Sequence, residues 1–321
     1  MKQGFFRAAV AAGLAAALSI PASATQMLVP VGEVVGLSLA EGTVTVVAFD
    51  EELGAAARDA GLQVGDEIVA MDGTAIDSAA DLHDALGHSD STVVLTLNRE
   101  GKTRQLKLSP ATTRDGPKLG VYIREGVTGI GTVTYYDPET GTFGALGHGV
   151  SRRDGTLAPM RSGNVYEATV VGVRAGQAGK PGQLRGAVSG GSAIAALEKN
   201  TSFGVFGAGV SWKGEALPVA QAGEVRPGEA QILSNISGDA VETFSVEILR
   251  VFRGPSSNGR DLMLEVTDQK LLSTTGGIVA GMSGSPILQD GKIVGAVTHV
   301  LVNQPDTGYG IFIENMLDAA G

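Results

Sequence analysis

The 321 residues carry a net charge of −10, which argues against a nucleic-acid partner, because phosphate recognition needs a basic face. No cysteine occurs, so disulfides, thiol catalysis and zinc-thiolate sites are excluded. Glycine reaches 47 residues with no collagen-like period, and aromatics are only 5%, so the chain reads as many short strands around aliphatic cores.

Lys2 and Arg7 precede an apolar run from Ala8 to Ile20, and Ala22-Ser23-Ala24 follows as a small-x-small site. Residues 1–24 therefore read as a secretory signal peptide or an N-terminal anchor, and either would place the rest of the chain outside the cytoplasm.

From about Glu33 to Pro110 the pattern is mixed. VVGLSL, TVTVVAF, EIVAMDG, TVVLTLNREG and TRQLKLSP predict short strands. ELGAAARDAG predicts a helix closed by Gly61, and SAADLHDALGH a second, with Asp77 or Ser78 as N-cap and Gly87 as the stop. The order GAAARDAGLQVGDEIVAMDGTAI resembles the middle of a PDZ domain, here assigned to residues 33–110. By that resemblance Val35, Gly36 and Leu37 belong to the loop that cradles a peptide carboxylate with backbone N–H groups. The helix near Ala79–Leu86 would form the facing wall. A peptide C-terminus or internal segment would then occupy the groove; the alternative is a lobe that only packs on its neighbour.

Residues 117–321 shift to glycine-punctuated strands such as Gly129–Tyr136, NVYEATVVGV, SFGVFGAGV, ETFSVEILRVF and DLMLEVTD, enough for one or two small barrels, with a helical piece IENMLDAA at the end. Within them lies GMSGSPILQDGKIVGAVTHV, Gly281 to Val300, where Asp290-Gly291 is a strong hairpin signal. The order glycine, x, serine, glycine, small, proline, strand, turn, strand resembles the nucleophile region of chymotrypsin-like serine peptidases. That resemblance makes Ser283 the nucleophile and the N–H groups of Gly281 and Ser283 the oxyanion hole. It also puts Gly277 at the base of the side-chain pocket, with no charge to select Lys or Arg.

A serine needs a base. Of four histidines, His83 and His88 fall in the PDZ-like helix, while His299 lies on the strand after the hairpin and would line the substrate edge. His148, in Gly147-His148-Gly149, precedes the serine as in chymotrypsin-like enzymes and is the expected base.

The segments Ala145–Gly149, Thr275–Pro286, Gly295–Val300 and Gly308–Ile311 together resemble the stage IV sporulation protein B family, exported serine peptidases with an N-terminal PDZ domain. The resemblance runs from the PDZ segment to the C-terminus. It implies a mainly β protein, a PDZ domain followed by a chymotrypsin-like double β-barrel. It implies self-cleavage and cleavage of a membrane-anchored regulatory protein, which triggers intramembrane-protease-dependent sigma factor activation between forespore and mother cell. Its pattern points to Asp268 as the triad acid; Glu198, 50 residues after His148, is the alternative by chain distance. No cofactor and no metal is expected, since no clustered His/Asp spacing occurs. An α/β-hydrolase elbow is disfavoured because Ser285 stands where Gly-x-Ser-x-Gly needs glycine. The rival from another class is a non-catalytic PDZ peptide-binding module joined to an inert barrel.

Overall fold

The computed structural model describes residues 26–89, 91–152, 154–254 and 259–321; the signal-like segment lies outside them. Among the described residues no helix is long and apolar enough to cross a membrane. The chain is mainly β and forms two barrels and a PDZ-like lobe.

Strand alternation builds the second barrel. In Val241–Val251, Phe244, Val246 and Ile248 are buried and alternate with exposed neighbours, so one face packs inward. Six strands close this barrel, in the order Gly228–Asn235, Val241–Val251, Leu262–Val266, Gln304–Phe312, Lys292–Leu301 and Pro286–Gln289.

The first barrel rests on two long strands, Val34–Phe49 and Val121–Asp137, which pair antiparallel. Strands Thr142–Ala145, Gly204–Ala208, Ala195–Thr201 and Ser162–Arg174 complete a ring of six. Val35, Leu37 and Leu39 alternate into this barrel's core with Val133, Phe143 and Val165.

The same two strands continue past the barrel to build the PDZ-like lobe. The register slips between Ala40 and Thr45, and beyond it Val44 and Val46 enter a separate core with Ile68, Leu82, Leu95 and Leu97. The lobe and the first barrel therefore share these two strands, and the expected segments 33–110 and 117–321 are joined through them. Val34–Ala40 pairs within the first barrel at both edges, with Ser162–Glu167 and with Gly126–Thr132. Ion pairs hold the junction: Arg152 binds Glu41 and, at 3.2 Å, Glu67, and Arg161 meets Asp77 at 2.5 Å.

The expected helices form at Ala55–Asp59, Ala79–Gly87 and Ile313–Ala320. Ser78 caps the second, its side chain accepting from the Asp81 N–H. A further helix, Gln269–Thr275, was not foreseen. The C-terminal helix buries Ile313 and Met316 against Leu28, Tyr135 and Phe206 of the first barrel and Ile293 of the second, tying the two together.

Candidate active site

Ser283 sits in a turn between Ala280 and strand Pro286–Gln289. The turn lies hard against the first barrel, and Gly284 is what permits it. At Gly284 φ is +98°, and a Cβ would stand 2.0 Å from the Thr132 carbonyl oxygen and 2.6 Å from the Leu146 nitrogen. Only glycine meets both demands. Among the described residues, neither the Gly281 nor the Ser283 N–H has an acceptor. Two adjacent unpaired donors beside a serine are what a developing oxyanion requires.

The facing turn carries His148. Gly147 N–H donates to the Ala145 carbonyl at 2.9 Å across Leu146, whose φ is +71°. A left-handed leucine is strained by about 1–3 kcal/mol and persists because its surroundings hold it. Leu146 N–H bonds Thr132 O at 3.1 Å, and its side chain packs over Gly131. His148 Nδ1 lies 3.0 Å from the Gly149 carbonyl, which fixes Nδ1 as the donor and leaves Nε2 a free acceptor.

His148 and Ser283 line one cavity of about 450 Å³, walled by Leu37, Leu39, Val127, Ile130 and Val150. Ser283 Oγ donates to the Thr298 carbonyl at 3.0 Å rather than to His148. Attack by Ser283 therefore requires a turn about its χ1 away from that carbonyl. Burial holds the His148 imidazole below the usual histidine pKa, opposed by the Gly149 carbonyl. His299 packs on His148 with ring centroids 5.6 Å apart, and among the described residues its buried Nδ1 has no hydrogen-bond partner. Burial first, then the His148 and Arg260 charges, push its pKa down to about 4.

Among the described residues, no carboxylate bonds His148. Asp268 caps the unforeseen helix, Oδ1 accepting from Leu271 N–H at 2.9 Å. Glu198 is exposed on strand Ala195–Thr201. Sequence reasoning missed Asn200, two residues on. Its carboxamide accepts from Val150 N–H at 2.9 Å and donates to the carbonyls of Val150 at 2.9 Å and Ala158 at 2.8 Å, bracing the segment that follows His148. Gly277 is buried against the backbone of Pro305 and Asp306, where a Cβ would come within 2.1 Å, so it is not a pocket base. Among the described residues no group of three His, Cys, Asp or Glu is placed to hold a metal.

Val35, Gly36 and Leu37 are also relocated. Both backbone edges of this stretch are paired within the first barrel, so its N–H groups cannot form a carboxylate cradle; Leu37 instead lines the Ser283 cavity. The lobe's groove, about 360 Å³, lies between helix Ala79–Gly87 and residues 117–123. Leu82, His83 and Leu86 face Leu119, Val121 and Ile123 across it. Among the described residues, the N–H groups of Leu119 and Gly120 have no acceptor. Gly120 has φ +67° and lies against Leu53 and Gly54, with no space for a Cβ.

A family model described as SpoIVB peptidase S55 matches residues 115–317, and a PDZ domain model matches residues 34–109. Among solved structures, the PDZ domain of the SdrC-like protein from Listeria monocytogenes is 24% identical, covering 26% of this chain and 87% of that one, with a TM-score of 0.23. The Rv3671c protease in an inactive form is 16% identical, covering 60% of this chain and 84% of that one, with a TM-score of 0.36. A serine mutant of Rv3671c from M. tuberculosis H37Rv is 15% identical, covering 60% and 82%, with a TM-score of 0.34. No curated protein matches the sequence.

Proposed function

The chain belongs to the SpoIVB peptidase S55 family of serine peptidases and carries a PDZ domain, and from that premise we propose that it is an exported endopeptidase working through Ser283 and His148. The observation that carries this is the shared cavity: it is lined by Ser283, by His148, whose Nδ1 is engaged by the Gly149 carbonyl, and by Gly281, and among the described residues the Gly281 and Ser283 N–H groups have no acceptor. Ser283 Oγ turns from the Thr298 carbonyl, His148 Nε2 takes its proton, and Oγ attacks a peptide carbonyl. Gly281 and Ser283 N–H hold the oxyanion. The imidazolium returns the proton to the leaving amine, and water, activated by the same nitrogen, hydrolyses the acyl-enzyme. The Gly149 carbonyl, rather than Asp268, orients the imidazole.

The physiological substrate we propose is a membrane-anchored regulatory protein met outside the cytoplasm during endospore formation, between forespore and mother cell. Its cleavage, with self-processing near the N-terminus, would release an intramembrane protease and so a sigma factor. Family membership supports this. The PDZ groove would take a peptide end or an internal segment by adding it beside residues 119–123. Strand Val121–Asp137 supports a regulatory reading, since it runs from that groove to the residues facing Ser283.

The experiment compares the mature protein with Ser283→Ala and His148→Ala, following self-cleavage by intact mass and labelling by a fluorophosphonate. Only the unaltered protein is expected to label and cleave. Equal behaviour of all three would make Ser283 a turn residue and the protein a PDZ binding module with an inert barrel.

A further inference from the structure

We propose that Thr132 is the positioning residue of the oxyanion hole, an inference that rests on the Ser283–His148 reading. Thr132 is fully buried on strand Val121–Asp137. Its three polar groups bond the two catalytic turns. Oγ1 donates to the Gly281 carbonyl at 2.7 Å, and the N–H donates to the Ser283 carbonyl at 3.1 Å. Its own carbonyl accepts from Leu146 N–H at 3.1 Å, in the turn that carries His148.

The geometry gives these bonds a catalytic consequence. The Ser283 N–H belongs to the peptide plane between Met282 and Ser283. The planes on either side contain the Gly281 and Ser283 carbonyls, and Thr132 grips both. The middle plane is itself held by the Ser285 N–H, which donates to the Met282 carbonyl at 3.0 Å, and the two bonds to Thr132 fix the planes that flank it. Gly281 has φ +102° and no Cβ, so its peptide has little steric restraint of its own and depends on two bonds, the Met282 N–H to the Val279 carbonyl at 3.1 Å and the Thr132 hydroxyl to the Gly281 carbonyl. Among the described residues, the hydroxyl is the only side-chain group that bonds the Gly281 carbonyl. Losing that hydroxyl would leave the Gly281 carbonyl short of its partner and loosen the donor geometry on which charge stabilisation depends, with only the backbone bonds of Met282 left to hold it. Thr132 touches no substrate and acts entirely through Gly281 and Ser283.

The test uses the full mature chain, an internally quenched peptide it cleaves and a peptide boronate that mimics the tetrahedral intermediate. Thr132→Val keeps shape and removes the hydroxyl, Thr132→Ala removes it with less bulk, and Thr132→Ser retains it. We expect Val and Ala to lower kcat by about 10–100-fold, with KM within 3-fold and boronate affinity falling in parallel, and Ser to stay within 3-fold of the unaltered protein. A kcat for Val or Ala within 2-fold of the unaltered protein overturns the proposal. So does a loss confined to KM, or Ser falling as far as Val, which would mark a packing role only. Ser283→Ala runs alongside: if it still cleaves, the reading of the site fails, whereas an inactive Ser283→Ala with a fully active Thr132→Val sinks this inference alone.

Discussion

His148 and His299 face each other across the seam between the barrels, ring centroids 5.6 Å apart and planes inclined by 42°. Burial holds both pKa values below 6.5, opposed at His148 by the Gly149 carbonyl and reinforced at His299 by the charges of His148 and Arg260. The base is then neutral into mildly acidic solution. The acid limb of kcat/KM should have its midpoint below 6.5, as read from a pH profile on a reporter peptide. A midpoint at or above 6.5 would contradict the described packing.

The same pair sets a pH dependence of stability. Between 6.5 and about 4, the unfolded chain protonates His299 while the folded chain does not. Stability contributed by the neutral ring is therefore complete above 6.5 and is lost as pH falls toward 4. His299→Phe removes the titration. Its melting temperature should fall less between pH 7 and pH 5 than that of the unaltered protein, in matched thermal scans. Parallel curves would count against it.

Asp268 can be separated from catalysis by a conservative change. Asparagine caps helices about as well as aspartate, whereas alanine loses about 1 kcal/mol at such a site. As the cap of Gln269–Thr275, Asp268→Asn should melt with the unaltered protein and keep kcat/KM within a few-fold, while Asp268→Ala should be less stable. A hundredfold loss of kcat/KM in Asp268→Asn at unchanged stability would instead put its carboxylate on His148 in the working enzyme.

Gly284 and Gly291 make a matched comparison, with φ of +98° and +73°. A Cβ on Gly291 would meet nothing within 4 Å, whereas one on Gly284 collides with the Thr132 and Leu146 backbone. Gly291→Ala should cost about 1–2 kcal/mol from backbone conformation alone. Gly284→Ala should cost more, and should lose fluorophosphonate labelling because the serine turn must retreat from the His148 turn. Denaturant titrations and labelling rates of the two variants check this.

What the sequence reveals here depends on range. The Ser283 and His148 turns were legible because their glycines are local signals of tight backbone, and the hairpin at Asp290-Gly291 was legible for the same reason. Helix Gln269–Thr275 carries local signals too, an Asp cap and a left-handed Gly276, but the family resemblance assigns Asp268 to the triad instead. Asn200 was invisible, because its bonds reach Val150 and Ala158, 50 and 42 residues back. The lobe's boundary was hidden by continuity. Strand Val34–Phe49 is one continuous element, but its inward positions shift from Val35, Leu37 and Leu39 in the barrel core to Val44 and Val46 in the lobe core, and that change of phase marks the boundary inside what the segments VVGLSL and TVTVVAF present as two strands of one domain.

That continuity moves the peptide-binding prediction to the other long strand. Leu119 and Gly120 offer unpaired N–H groups at the end of a groove walled by Leu82, Leu86 and Val121, and Lys118 stands beside them. Backbone donors and a lysine favour a carboxylate, and the apolar walls favour an aliphatic last side chain. A fluorescent peptide with a free aliphatic C-terminus should bind the Ser283→Ala protein. Amidating its end should weaken binding by about tenfold, equivalent to about 1.4 kcal/mol. Lys118→Glu should weaken it in the same direction, more at low salt than at high salt, because Lys118 is exposed and its field is screened. Substitutions at Val35 should leave the affinity unchanged, since that residue packs in the first barrel. Equal affinity for acid and amide forms would mean that the groove takes internal segments, with the strand edge rather than the Leu119-Gly120 turn supplying recognition.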